Sequence, residues 1–338
     1  MVNILKEDPK TKKGKTILII SVALAGLVIG AGGGILFSYI LKTPHQEMAS
    51  GDGNKYADKY DVNELQNSVQ KAISSGKDVT QEFSLSQIAN YALDNFKLSE
   101  NSVAIGYGKA NSAVALDIRN FTIKNGDSYM EEALSKSAPG ILDIRVCQRD
   151  YQTGTSEDSP IKSYLGSLID AEHATYDNPT KKDYTVTTYK DTFGKSVDDP
   201  SVYVVSSKTI LTDTVTQTSP LTGEKITGNS NIKKVDGGYE LYMELNTVKG
   251  VAKYWKRMMN LSGSNVSSFN YVHLTYYLND NFELVKSFVE ESYAAGMANI
   301  NASVLGTLTT YFFKDTNDYK IPSSNESVSY PEEGKLRW

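Results

Sequence analysis

Hydrophobic residues fall along this chain in three textures. The first is an unbroken apolar run, residues 16–41, which holds no charged side chain. As a helix this run would rise about 39 Å, enough to cross the roughly 30 Å hydrocarbon core of a bilayer with some tilt. A helix is the form in which a single span satisfies its own backbone, so the run predicts a transmembrane helix. The second texture has helical spacing. Asp61 caps a predicted short helix to about Ser74, with Val62, Leu65, Val69, Ala72 and Ile73 on one side. Ser84 and Gln87 stand at capping-box spacing, and Leu85, Ile88, Ala89, Ala92, Leu93 and Phe96 then share one face. Asn246 or Thr247 opens a further helix to about Leu261. It carries Val248, Val251, Ala252, Trp255, Met258 and Met259 on one side and Lys249, Lys253, Lys256 and Arg257 on the rest.

The third texture alternates with a period of two and predicts strands. They fall at residues 103–107, 113–119, 121–124, 127–132, 141–151, 184–189, 201–212, 214–218, 239–246, 269–278, 282–293 and 298–313. Asn125-Gly126 suits the two positive-φ positions of a hairpin turn. Residues 219–223, Asp236-Gly237-Gly238, Asn279-Asp280-Asn281 and Ala294-Ala295-Gly296 read as further turns, and Gly306 as a bulge or bend. Residues 163–171 read as a short helix inside a Thr/Ser/Asp/Lys-rich stretch, 151–199, taken as an elaboration. The fold class expected is α+β: an N-terminal transmembrane helix, then a strongly curved antiparallel sheet, an unclosed barrel, wrapped around amphipathic helices.

Charge orients the run. Lys6, Lys10, Lys12, Lys13 and Lys15 precede it against Glu7 and Asp8, and Lys42 follows. The positive-inside rule places the N-terminus in the cytoplasm and the larger part outside the plasma membrane. The run is too long for the apolar region of a signal peptide, and no cysteine follows it closely enough to carry a lipid anchor. Gly26, Gly30 and Gly34 recur on one helix face, as in spans that pack closely together. The net charge of −5 is mild and gives no footprint for nucleic acid. Cys147 is the one cysteine, so no disulfide forms within the chain, which suits a bacterial surface with a single membrane. The 22 tyrosines favour sheet.

No motif of an enzyme is present, and the reading is of a non-enzymatic protein without a cofactor. His45, His173 and His273 are dispersed, and His273 falls on the outward side of its strand. Glu290 and Glu291 are adjacent in a strand, so they point to opposite faces and form no acid/base pair. Nothing matches a zinc, calcium or phosphate-loop pattern.

The closing block reads YYLNDN, then FELVKSFVEESY, then NASVLGTLTTYFF, then NDYKIP. With the helix at 84–98 and the Asn-Gly hairpin, this order of elements resembles the LolA-like and LppX/LprG-type lipid-carrier domains. The resemblance runs over residues 83–322, with 151–199 unmatched. It implies a half-barrel around helices with an apolar cavity for lipid or lipoprotein acyl chains. Incomplete packing would then leave a pocket lined by Ile88, Phe96, Leu241, Met243, Trp255, Met258, Met259, Leu274 and Tyr276. The alternative is a filled core made of the same residues, in an envelope interaction or sensor module with a protein partner. The resulting division is a basic tail at 1–15, the span at 16–41 and a tether with a short helix at 42–80. The extracytoplasmic domain follows at 81–322, and a flexible tail at 323–338.

Overall fold

The computed structural model describes residues 53–111, 115–125, 128–137, 144–153, 160–167, 184–188, 203–219, 222–255, 265–297, 300–319 and 330–336. The predicted span 16–41, with Gly26, Gly30 and Gly34, lies outside the described residues, as do Met258 and Met259. Among the described residues no helix is long and apolar enough to cross a membrane.

Local capping decides where the first helices begin. Asp61 accepts the Glu64 N–H at 2.9 Å and opens α1, Val62–Ser74, which buries Leu65, Val69 and Ala72. Asp78 caps α2, Val79–Glu82, by accepting the Thr80 N–H at 3.0 Å. Helix α3, Leu85–Lys97, starts with the expected capping box. The Gln87 N–H donates to Ser84 Oγ at 3.3 Å and the Ser84 N–H to Gln87 Oε1 at 2.9 Å.

Among the described residues eleven strands form one antiparallel sheet, open at both ends, in the order β6-β5-β4-β3-β2-β1-β13-β12-β11-β10-β9. The first six are β1 (Asn101–Asn111), β2 (Ala115–Asn125), β3 (Ser128–Ser137), β4 (Ile144–Thr153), β5 (Pro160–Ser167) and β6 (Tyr184–Thr188). They form a meander growing away from β1. The last five are β9 (Asn231–Val235), β10 (Gly238–Glu244), β11 (Asn265–Asn279), β12 (Leu284–Met297) and β13 (Ile300–Phe313), a second meander. Pairing of β13 with β1, from Val103↔Phe313 to Asn111↔Leu305, joins the two. A separate ribbon, β7 (Gln217–Thr218) with β8 (Lys225–Ile226), closes around the expected turn, where Gly223 has φ +72°. The Gly237-Gly238 turn likewise links β9 to β10. A Cβ on Gly238 would sit 1.8 Å from the Leu278 carbonyl oxygen, so only glycine fits there.

The sheet departs from the sequence expectation in several places. The strands expected at 113–119 and 121–124 are one, β2. The helix expected at 163–171 is strand β5 over Pro160–Ser167, paired along β4. The hydrogen-bonding edge of β4 takes up this backbone, which local periodicity does not register. Ala294, Ala295 and Gly296 do not turn but continue β12 in ladder with β13. Gly306 is neither bulge nor bend, since both of its ladders run through it unbroken.

Residues 203–212 form no extended strand, apart from a single bridge between Ile210 and Leu245. Here Thr209 Oγ1 accepts the Ser206 N–H at 2.9 Å and donates to the Val204 carbonyl at 2.5 Å. Side-chain oxygens thus supply the partners a neighbouring strand would have given.

One apolar cluster joins α1, α2 and α3 to the inner face of β10–β13, with Ile88, Leu241, Met243, Leu274 and Val272 among its members. On the opposite face of β1, β2 and β13 a second cluster holds Val103, Ile105, Tyr107, Phe121, Ile123 and Tyr311. Tyr330 and Leu336 pack onto it, and the Tyr107 hydroxyl donates to the Pro331 carbonyl at 2.6 Å. The tail expected to be free at 323–338 is therefore seated over residues 330–336, because it covers apolar sheet surface. The end of the tether is also held. Asp58 accepts from the Ser207 N–H at 2.8 Å and from Ser86 Oγ at 3.2 Å, and Ser206 Oγ donates to the Tyr56 carbonyl at 2.8 Å.

Replacing Tyr330 and Leu336 together by alanine is expected to lower the free energy of unfolding by about 1–3 kcal/mol. A urea titration measures it. Leu305→Ala on the same face, where the side chain is 44% exposed, is the control and should cost about 0.5 kcal/mol or less.

Candidate functional site

The inner face of β12 reads Ser287, Val289, Glu291, Tyr293, so an acidic residue occupies a core register. Its row across the sheet is Glu291, then Gly306 of β13, then Ala110 of β1. Neither neighbour has a side chain beyond Cβ. A Cβ on Gly306 would already come within 3.2 Å of Glu291 Cγ. The row therefore leaves a hollow in the inner face, and the Glu291 side chain takes part of it.

Two tyrosines close over that carboxyl from outside the sheet. Tyr203 enters on the irregular segment 203–212, which is pinned by the Val204 N–H to the Gly250 carbonyl at 2.9 Å. Tyr254 sits in a helical turn at 252–255. Asn246 Oδ1 opens the approach to that turn by accepting the N–H groups of Val248 (3.0 Å) and Lys249 (2.8 Å). The sequence places a helix start at this cap, but residues 247–251 are turns and the described helical residues begin at Ala252. The Tyr203 hydroxyl donates to Glu291 Oε2 at 3.0 Å and the Tyr254 hydroxyl to Oε1 at 2.9 Å, so each carboxyl oxygen holds one phenol. The rings form a chain, Tyr203 to Tyr254 at 5.2 Å, Tyr254 to Phe269 at 5.9 Å and Phe269 to Tyr293 at 5.3 Å.

What remains is a cavity of about 30 Å³ lined by these groups together with Ala110, Ile118, Val289, Gly306, Thr307 and Leu308. That is room for one or two water-sized species. It is far below the several hundred Å³ of a typical small-molecule pocket.

Burial sets the electrostatics. Glu291 is 8% exposed, and loss of water pushes its carboxyl from the ordinary 4.5 up to about 7, although the two phenol donors pull the other way. Tyr203 and Tyr254 are raised well above the ordinary tyrosine value, first by burial and then by the neighbouring carboxylate, so both remain hydrogen-bond donors. Among the described residues no lysine, arginine or histidine pairs with Glu291.

Glu290 points to the other face and is partly exposed, as the strand alternation requires, so it does not join Glu291. His273 also lies on that outer face, with its ring stacked on Tyr271 at 4.6 Å and tilted toward Tyr242 at 5.7 Å. His45 and His173 lie outside the described residues. Among the described residues no group of three or more His, Cys, Asp or Glu could hold a metal ion.

Six of the residues expected around an apolar pocket are brought together in the main cluster. Ile88, Leu241, Met243, Trp255, Leu274 and Tyr276 are all between 0 and 7% exposed. None of them borders the Glu291 cavity. Phe96 stands apart, half-buried, edge-on to Phe312 at 4.9 Å. The sequence reading missed Glu291, Tyr203 and Tyr254 as a group. The one available signal was a glutamate at the inward position between Val289 and Tyr293.

No protein-family model matches the chain, and no curated protein matches it. Among solved structures, an N-terminal dehydratase from the difficidin assembly line is 9% identical, covering 70% of this chain and 84% of that one, with a TM-score of 0.14. A likeness of that size carries no argument about fold or activity.

Between pH 4.5 and 7 the folded protein keeps a proton on Glu291 that the unfolded chain has released. Stability contributed at this site should therefore fall as pH rises through that window and level off above it. The raised value corresponds to on the order of 3 kcal/mol. Glu291→Gln should flatten this part of the stability profile and match or exceed the parent at pH 8. Urea midpoints collected every half pH unit test it, and an unchanged slope in the variant would assign it to other groups.

Proposed function

We propose that this chain is a single-pass membrane protein displaying an α+β domain outside the cell as a non-enzymatic interaction or sensor module. The apolar run at 16–41 supports anchoring, and the lysines before it support an N-terminus in the cytoplasm. The observation that carries the choice of module over carrier is the packing of Ile88, Leu241, Met243, Trp255, Leu274 and Tyr276 in one cluster at 7% exposure or less. A carrier of the LolA or LppX/LprG kind needs that space between helices and sheet for an acyl chain. Among the described residues these six side chains pack against one another there, which supports the module reading. A half-barrel curvature remains the finer form proposed for the open sheet. A domain held at the membrane would meet its partner there rather than ferry a cargo.

Two measurements test this. In intact cells the domain should be digested by protease added outside, and it should leave the membrane only with detergent. Deletion of residues 16–41 should abolish retention. A mature chain beginning after residue 41 would refute the anchor. Native mass spectrometry of the protein purified without lipid stripping should show the bare chain mass after detergent removal. A stoichiometric lipid adduct would instead restore the carrier reading.

A further inference from the structure

Beyond the anchored module, the hollow beside Glu291 has the makings of a ligand site of its own. A buried carboxylate is costly unless a counter-charge or a full set of donors meets it. Glu291 has two phenol donors, one on each oxygen, and no cationic side chain among the described residues. Each oxygen keeps lone-pair capacity after accepting one hydrogen bond. Tyr203, Tyr254 and Tyr293 border the same space, and aromatic faces attract cations, more strongly where water is excluded. The volume, about 30 Å³, suits a species of water or ammonium size. Tyr203, Thr307 and Leu308 are only partly buried, so the wall they form borders solvent.

We propose that the cavity bounded by Glu291, Tyr203, Tyr254 and Tyr293 binds a small monocation of ammonium size, either free or as the tip of a primary amine. The cation supplies a counter-charge that no side chain among the described residues gives Glu291. Its N–H groups donate to the open lone pairs of the carboxylate while the rings surround it. The size of the hollow follows from Gly306 and Ala110, and it excludes a fully methylated nitrogen. Among the described residues the titratable groups facing Glu291 are the three tyrosines, which stay protonated near neutrality, so occupancy should follow ionisation of the carboxyl.

The test uses the full chain in detergent at pH 8 and at constant ionic strength. Thermal unfolding is followed while sodium chloride is exchanged for ammonium, methylammonium, n-butylammonium or tetramethylammonium chloride. Tm should rise saturably by a few degrees with ammonium and methylammonium and stay flat with tetramethylammonium. A response to n-butylammonium assigns the site to amine tips as well as the free ion, and a flat one assigns it to the small ions alone. At pH 5, with the carboxyl protonated, the response should be lost. Glu291→Gln should weaken it at least tenfold. If that variant fails to fold, Ala110→Val provides the second reading, because it fills the hollow from the opposite strand and leaves the carboxyl and phenols in place. Its response should be equally lost. An equal rise with tetramethylammonium, a rise that persists at pH 5, no rise at all, or a rise retained in the folded variant would each overturn the site.

Discussion

The pairing of β13 with β1 is the constraint on which the rest of the molecule depends. Each meander can form from near neighbours in sequence, but neither closes a core alone. The seam Val103↔Phe313 to Asn111↔Leu305 brings together strands about two hundred positions apart, and both apolar clusters cross it. Contacts of that sequence separation bring their reward only after a large loop has been closed, so they form late and act cooperatively. Helices α1–α3 cover one side of the sheet, and the seated segment 330–336 covers part of the other. The seam is thus buried from both directions where the second cluster lies.

The same seam creates the Glu291 hollow. Ala110 belongs to β1, Gly306 to β13 and Glu291 to β12, so the row exists only once both ladders are in register. Two opposed effects meet there. Desolvation raises the carboxyl toward neutrality, and two phenol hydrogen bonds favour its charge. Burial wins, which keeps the group protonated through mildly acidic conditions. The tyrosines that answer it come from parts of the chain without strand structure, held by the caps and turns of Ser206, Thr209 and Asn246.

Features governed by a few adjacent residues were legible in the sequence. Asp61 and Ser84 cap where their spacing says they should, and Leu241, Met243, Leu274 and Val289 alternate inward as their period requires. Legibility ends where the decisive partner is distant. Residues 160–167 become a strand because the edge of β4 recruits them. Residues 203–212 lose their strand because hydroxyls supply local hydrogen bonds. Tyr330 and Leu336 look like a loose end until the surface beneath them exists. Glu291 carries only a faint mark, a charge in a core register, and its companions come from positions 203 and 254, which no local window contains.

An open sheet also has margins. Among the described residues β9 bonds to β10 alone, so its other edge presents backbone groups that could template a strand from a second copy. Lys233 and Lys234 stand on that margin, more than half exposed, with Lys233 paired to Glu240 and Lys234 to Asp280. Alignment of two such borders would crowd lysine against lysine and strip water from both. The ammonium groups thereby act as spacers, and neighbouring molecules packed side by side would resist zipping into fibrils.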